Sequence, residues 1–239
     1  RDVLGSRGLG DVYKRQGETV KIFHLENKSG AYAEVTDFGA ILVKVCVPDK
    51  DGTLTDVVLG YDDLASYEVN GCFFGSTIGR NGNRIGGAKF SVNGKEVVLA
   101  QNENDNNLHS GPNGFEKKIW TVKNTDSDKN AITFSRISPD GEQHFPGNFT
   151  YSITYHLTDD DELIIDYEGV SDADTVVNMT NHSYFNLGKG GHKGGQILNH
   201  EVKILAEQYN PVNELLYPTG EFVDVAGTPF DFREFKVIG

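Results

Sequence analysis

From position 17 onward, apolar and polar residues alternate along the chain with a period of two. This is the spacing at which successive side chains of a strand leave opposite faces. In Tyr151-Ser152-Ile153-Thr154-Tyr155-His156-Leu157 the residues Tyr151, Ile153, Tyr155 and Leu157 share one face and polar groups take the other. The same reading of Ile41-Leu42-Val43-Lys44-Val45-Cys46-Val47 puts Ile41, Val43, Val45 and Val47 on a single face. Runs at 89–92, 96–100, 131–137, 163–168 and 201–205 are short, β-branched or aromatic, and bounded by turn residues. Asn93-Gly94 is the strongest hairpin signal, because both residues tolerate positive φ. Asp49-Lys50-Asp51-Gly52 and Asp159-Asp160-Asp161-Glu162 separate further pairs of runs. Helical spacing is nearly absent, with a turn or two of helix expected in 62–70. Many short strands and few helices predict an all-β fold, an antiparallel β-sandwich. No linker, repeat or low-complexity segment interrupts 17–239, so one domain is expected there.

The first sixteen residues differ. They lack an initiator Met and show neither period, and are expected to be a non-native leader without a strand. Gly5-Ser6-Arg7-Gly8-Leu9-Gly10 lacks the strand before it and the helix after it that a phosphate-binding loop requires.

Charge narrows the partners. The formal net charge of -13 repels phosphate backbones and anionic lipids, which excludes nucleic acid and membrane surfaces and leaves a neutral small molecule unaffected. No apolar stretch is long enough to cross a bilayer. The two cysteines, Cys46 and Cys72, form no CxxC and have no His at ligand spacing, so no thiolate metal site is expected. They read as reduced, buried thiols in a cytoplasmic protein. The sequons at Asn148, Asn178 and Asn181 read as unglycosylated. The sequence does not indicate an oligomeric state.

Three polar clusters could carry chemistry. Gly79-Arg80-Asn81-Gly82-Asn83-Arg84-Ile85 sets two arginines and two asparagines among glycines, where a tight backbone can present donors to hydroxyl oxygens. Asn106-Asn107-Leu108-His109-Ser110-Gly111-Pro112-Asn113-Gly114-Phe115, followed by Trp120, places an imidazole near rings able to cover the apolar face of a pyranose. On its own, each of these two reads as a surface turn. Asn178-Met179-Thr180-Asn181-His182-Ser183-Tyr184-Phe185-Asn186-Leu187 follows the apolar Thr175-Val176-Val177. It suggests a histidine at a strand end, held by Asn and Thr hydrogen bonds that fix its tautomer. This third cluster reads equally as functional or structural.

Taken in order, the clusters resemble the aldose 1-epimerase (galactose mutarotase) family. The resemblance is carried by Gly79-Arg80 with Asn83-Arg84-Ile85, Leu108-His109 with Gly114-Phe115 and Trp120, and Ser135-Arg136-Ile137-Ser138-Pro139-Asp140-Gly141-Glu142 with Pro146-Gly147. It continues through Thr180-Asn181-His182-Ser183-Tyr184-Phe185-Asn186-Leu187, and then Pro218-Thr219-Gly220 leading to Thr228-Pro229-Phe230-Asp231-Phe232-Arg233. It implies a large antiparallel β-sandwich with a sugar cleft and an enzyme that interconverts the α and β anomers of a free hexose without cofactor or metal. A base takes the proton of the anomeric hydroxyl while an acid protonates the ring oxygen, a pairing that typically contributes ~10²–10⁴-fold. By motif match, His182 is the expected general acid and His109 the expected partner at the ring oxygen. Arg84 and Asn83 are expected to bind the sugar, with Arg80, Asn81 and Trp120 outside the catalytic set.

The resemblance also implies a base glutamate and a substrate-binding aspartate near the C-terminus, and no residue here stands at either motif position. Glu221 and Glu234 do not match. The expectation is therefore a sandwich incomplete at its C-terminus, with unpaired edges, an open core face and weak or absent activity. Two rival readings follow: a sugar-phosphate 1-epimerase of the same superfamily, and a non-catalytic carbohydrate-binding fragment.

Overall fold

The computed structural model describes residues 13–15, 18–126 and 129–239. Two four-stranded antiparallel sheets dominate it. The first runs Ile22–Glu26, Tyr32–Thr36, Leu42–Pro48, Leu54–Asp56 in spatial order, and the second runs Thr121–Asp126, Ala131–Ser138, Phe149–Leu157, Leu163–Ser171. Their facing sides share one core. Leu25, Ala33, Val35, Leu42 and Val45 come from the first sheet, and Ile132, Phe134, Tyr151, Ile153, Tyr155 and Leu157 from the second. Burying each of the Val, Leu, Ile and Phe side chains among them stabilises by roughly 1.5–3 kcal/mol. The Tyr155 hydroxyl crosses between the sheets to donate to the Ala40 carbonyl at 2.7 Å. The chain is thus an all-β sandwich, as its period of two predicts.

The phase of the first sheet departs from that prediction. Leu42 and Val45 face the main core, whereas Ile41 and Val43 pack with Phe38, Leu64 and Tyr67 in a second cluster. The cause is a bulge. Val35 pairs with Leu42 and Glu34 with Lys44, so Val43 is the extra residue and the side chains change face across it. A strict alternation read from sequence cannot show a bulge.

The expected helix is Leu64–Val69, capped by Asp63, whose carboxylate accepts from the Ser66 N–H, and closed by Asn70 in the left-handed region. Lys89–Val92 and Lys95–Val98 form the Asn93-Gly94 hairpin, with φ of 51° and 74° at those two residues. The run at 201–205 shortens to Glu201–Val202, which pairs with Lys236–Val237. Residues 13–15 of the expected leader do form a strand, paired with Glu18–Val20, against the reading that no strand lies there. The remainder of the leader lies outside the described residues. Cys46 is buried but Cys72 is exposed, which corrects the expectation of two buried thiols; both are unpaired.

Candidate active site

The segment from Ser76 to Ile85 is the spine of the site. On one side, Thr77–Ile78 pairs with Thr180–Asn181, the His182 N–H donates to the Ser76 carbonyl at 2.8 Å, and Gly82 N–H donates to Asn178 carbonyl at 2.7 Å. On the other side, Arg84–Ile85 pairs with Asn107–Leu108, with Leu108 opposite Arg84. Motifs about a hundred residues apart in sequence therefore meet across one short stretch of backbone. Gly75 lets the spine begin, since at φ 64° an added Cβ would lie 2.0 Å from the Leu42 carbonyl oxygen.

This pairing brings the two imidazoles together. The His109 and His182 rings have centroids 5.1 Å apart and planes at 87°. His109 is only 8% exposed, and its tautomer is set by its neighbour. The Asn83 backbone N–H lies 3.0 Å from Nδ1 of His109, and the His109 N–H returns a bond of 3.0 Å to the Asn83 carbonyl. A backbone N–H can only donate, so Nδ1 accepts and the ring proton resides on Nε2. Burial, then the nearby His182 and Arg84, push the His109 pKa down to about 4. At neutral pH it is an uncharged hydrogen-bond donor. Both Asn83 and His109 take positive φ, 61° and 52°, which Asn and His tolerate better than most residues. Upstream, the Asn102 side chain accepts from the Leu108 N–H at 2.7 Å and donates to the Leu108 carbonyl at 2.9 Å, holding the strand that leads into His109.

His182 is half-buried, and no protein group among the described residues hydrogen-bonds its ring nitrogens. Asn181 does not bond the imidazole, as the sequence suggested. It anchors the segment instead, donating to the Gly75 carbonyl at 3.0 Å and accepting from the Ser183 N–H at 3.1 Å. Thr180 acts through the backbone pairing. Rings hold the His182 ring: Phe73 at 5.7 Å, Tyr184 at 5.2 Å and His109.

Arg84 reaches this site with its charge already met. Its Nε and Nη2 grip the Glu103 carboxylate at 3.1 and 2.7 Å, and Nη1 approaches the Asn83 side-chain oxygen at 3.4 Å. Glu103 is a partner that the sequence did not indicate. The other arginine of the cluster is not presented to a ligand. Arg80 is fully buried, donating to the carbonyls of Ser138, Pro139, Pro146 and Gly147 and to the Ser138 and Thr175 hydroxyls. Nor does Trp120 cover a cleft. It is a core residue, edge-on to Tyr151 at 4.9 Å, with its indole N–H donating to the Phe115 carbonyl at 3.1 Å. Phe115 is buried beside it, stacked on Tyr151. The rings at the site are Phe73 and Tyr184. The sequence could have pointed to Tyr184 through its place beside His182, whereas Phe73 carries no motif signal. Among the described residues, no group of three His, Cys, Asp or Glu side chains is placed to hold a metal ion. No helix among them is long and apolar enough to cross a membrane.

Residues 21–239 match the family described as aldose 1-epimerase. The chain is 43% identical over 223 residues to human galactose mutarotase and 37% identical over 222 residues to the aldose 1-epimerase of Escherichia coli strain K12, covering 93% of this chain and 63% of each relative. Its fold superposes on the aldose epimerase homologue from C. elegans with a TM-score of 0.86 at 30% identity, covering 92% of this chain and 66% of that one. The chain spans just under two thirds of the length of each of these proteins.

Proposed function

Because this chain belongs to the aldose 1-epimerase family, we propose that it binds a free hexose against the His109 and His182 pair and takes part in interconverting its α and β anomers. The observation that carries this reading is the approach of two imidazoles at 5.1 Å, nearly perpendicular, one of them fixed as an Nε2–H donor by the Asn83 backbone. In this reading the Nε2–H of His109 donates to the ring oxygen of the pyranose, and His182 delivers a proton to the same atom as general acid. The bond between C1 and the ring oxygen breaks, its electron pair stays on the oxygen, and that oxygen takes the proton. Water accepts the proton of the anomeric hydroxyl as the C1 carbonyl forms. Rotation about C1–C2 and the reverse steps give the other anomer. Asn83 and Arg84 orient the hydroxyls.

A sugar phosphate is the less favoured substrate, because Glu103 already neutralises Arg84 and the net charge is -13. The test is polarimetry of freshly dissolved α-galactose and α-glucose with the purified chain and its His182→Ala variant. Slow acceleration that vanishes in the variant is the expected result. Only one of the two proton-transfer groups is assigned, so the rate should fall short of the ~10²–10⁴-fold typical of positioned proton transfer. Preference for glucose 6-phosphate supports the first rival. Hexose binding without any change in anomerisation rate supports a carbohydrate-binding role instead.

A further inference from the structure

We propose that Phe73 is a positioning residue for the histidine pair, its ring bracing both imidazoles and keeping water from between them. The proposal rests on the reading of His109 and His182 as the sugar-facing pair. Three rings form a closed triangle: Phe73 to His109 at 4.7 Å and 69°, Phe73 to His182 at 5.7 Å and 39°, and His109 to His182 at 5.1 Å and 87°. Phe73 belongs to none of the three hydrophobic core clusters. Its neighbour Phe74 turns the other way, onto Tyr61 and Tyr184. Core packing therefore does not account for where the Phe73 ring lies.

The backbone spends conformational strain to put it there. Phe73 has φ 57°, a region that a bulky side chain disfavours and that persists only where surrounding structure enforces it. The enforcement comes from Asn70, which is 2% exposed. Its backbone carbonyl accepts from the Phe73 N–H at 3.0 Å. Its side chain accepts from the Phe74 N–H at 2.8 Å and donates to the Phe74 carbonyl at 3.2 Å and the Ser76 hydroxyl at 3.1 Å. The Ser76 N–H in turn donates to the Phe73 carbonyl at 3.1 Å. The same Ser76 carbonyl holds the His182 backbone, so the turn that presents Phe73 and the strand end that presents His182 are one hydrogen-bonded unit.

A ring held in this way does two things. It limits rotation of both imidazoles about their Cβ–Cγ bonds, and it contributes apolar surface to the burial that keeps His109 neutral. The other groups bearing on His109 are His182 and Arg84, which act in the same direction as burial. Phe73 acts through desolvation alone, and this separates its effect from theirs.

The test uses the whole 239-residue chain and three forms: parent, Phe73→Leu and Phe73→Tyr. Imidazole NMR follows the titration and tautomer of His109 without sugar. The Leu variant should move the His109 midpoint up from about 4 by a pH unit or more towards its ordinary value of ~6.5, and the Tyr variant should restore it. Where mutarotation is measurable, Leu should lower kcat about tenfold with KM little changed. An unmoved His109 titration in a folded Leu variant overturns the proposal. Should the Leu variant not fold, contacts between the Phe73 ring protons and both imidazoles in the parent decide it, their absence being the overturning result. Failure of hexose to bind the parent defeats the sugar reading and leaves the sugar-free titration to judge Phe73.

Discussion

The chain up to Leu157 and the chain from Leu163 onward are built on different terms. Among the described residues, every buried hydrophobic side chain but Val225 lies between Val20 and Leu157. Past that point the strands are mostly two residues long, and Leu187, Leu205, Phe222 and Phe235 are each 69% exposed or more. Among the described residues, Leu163–Ser171 pairs on one side only, with Phe149–Leu157, and much of its second half is exposed. The two regions meet at the candidate site. His109 belongs to the buried region, and His182 belongs to the open one, where backbone hydrogen bonds to the spine hold it in place of a core of its own. The His109 ring is thus fixed by a buried hydrogen bond from the Asn83 backbone, whereas the His182 ring rests on ring contacts at a hydrogen-bonded strand end, so the two should respond differently to perturbation.

The largest effect is expected from Arg80→Met. Arg80 is fully buried and ties the buried region at 138–147 to Thr175 of the open region. Its loss strands several carbonyls and should remove about 3–5 kcal/mol in a denaturant titration. A loss under about 1 kcal/mol would show that the two regions are not joined through this group.

Glu116 tests the buried region by pH. It is 2% exposed, one carboxylate oxygen has no partner, and burial pushes its pKa up to about 7 from an ordinary 4.5. The folded state then holds the proton more tightly than the unfolded chain. Stability is fully present below about 4.5, falls as pH rises from there, and has lost about 3 kcal/mol by pH 7 and above. Glu116→Gln, which resembles the protonated acid, should match the parent at pH 4 and exceed it at pH 8 in thermal melts. Parallel stability curves for the two proteins would contradict this.

Tyr155→Phe removes the hydroxyl that joins the sheets at Ala40 and lies 3.4 Å from the Asn181 side chain. It should lower stability by about 1–2 kcal/mol and broaden the His182 signal before that of His109. The smallest effect is expected in the open region itself. Leu205 is 87% exposed, so Leu205→Ser should change stability by no more than about 0.5 kcal/mol.

The sandwich was legible in the sequence because Tyr151, Ile153, Tyr155 and Leu157 alternate without interruption, and so was the hairpin at Asn93-Gly94. The bulge at Val43 was not, because one extra residue changes the face without changing composition. The motifs carrying His109, His182, Asn83 and Arg84 could be read as a resemblance, and the structure brings the four together around one spine. Arg80 and Trp120, which the resemblance leaves outside the catalytic set, are side chains whose type fits two roles. Arg80 looks like a ligand donor but finds its oxygens in buried carbonyls, and Trp120 looks like a sugar platform but completes the aromatic core. Phe73 and Glu103 carry no motif at all. Their importance comes only from which residues the fold sets beside them.

The most direct test of the account is an imidazole-resolved NMR titration of the chain with galactose near pH 7. The account predicts that His109 and His182 shift together along a single binding curve, and that His109 keeps its proton on Nε2 throughout. A titration in which one imidazole moves while the other stays unchanged would contradict it.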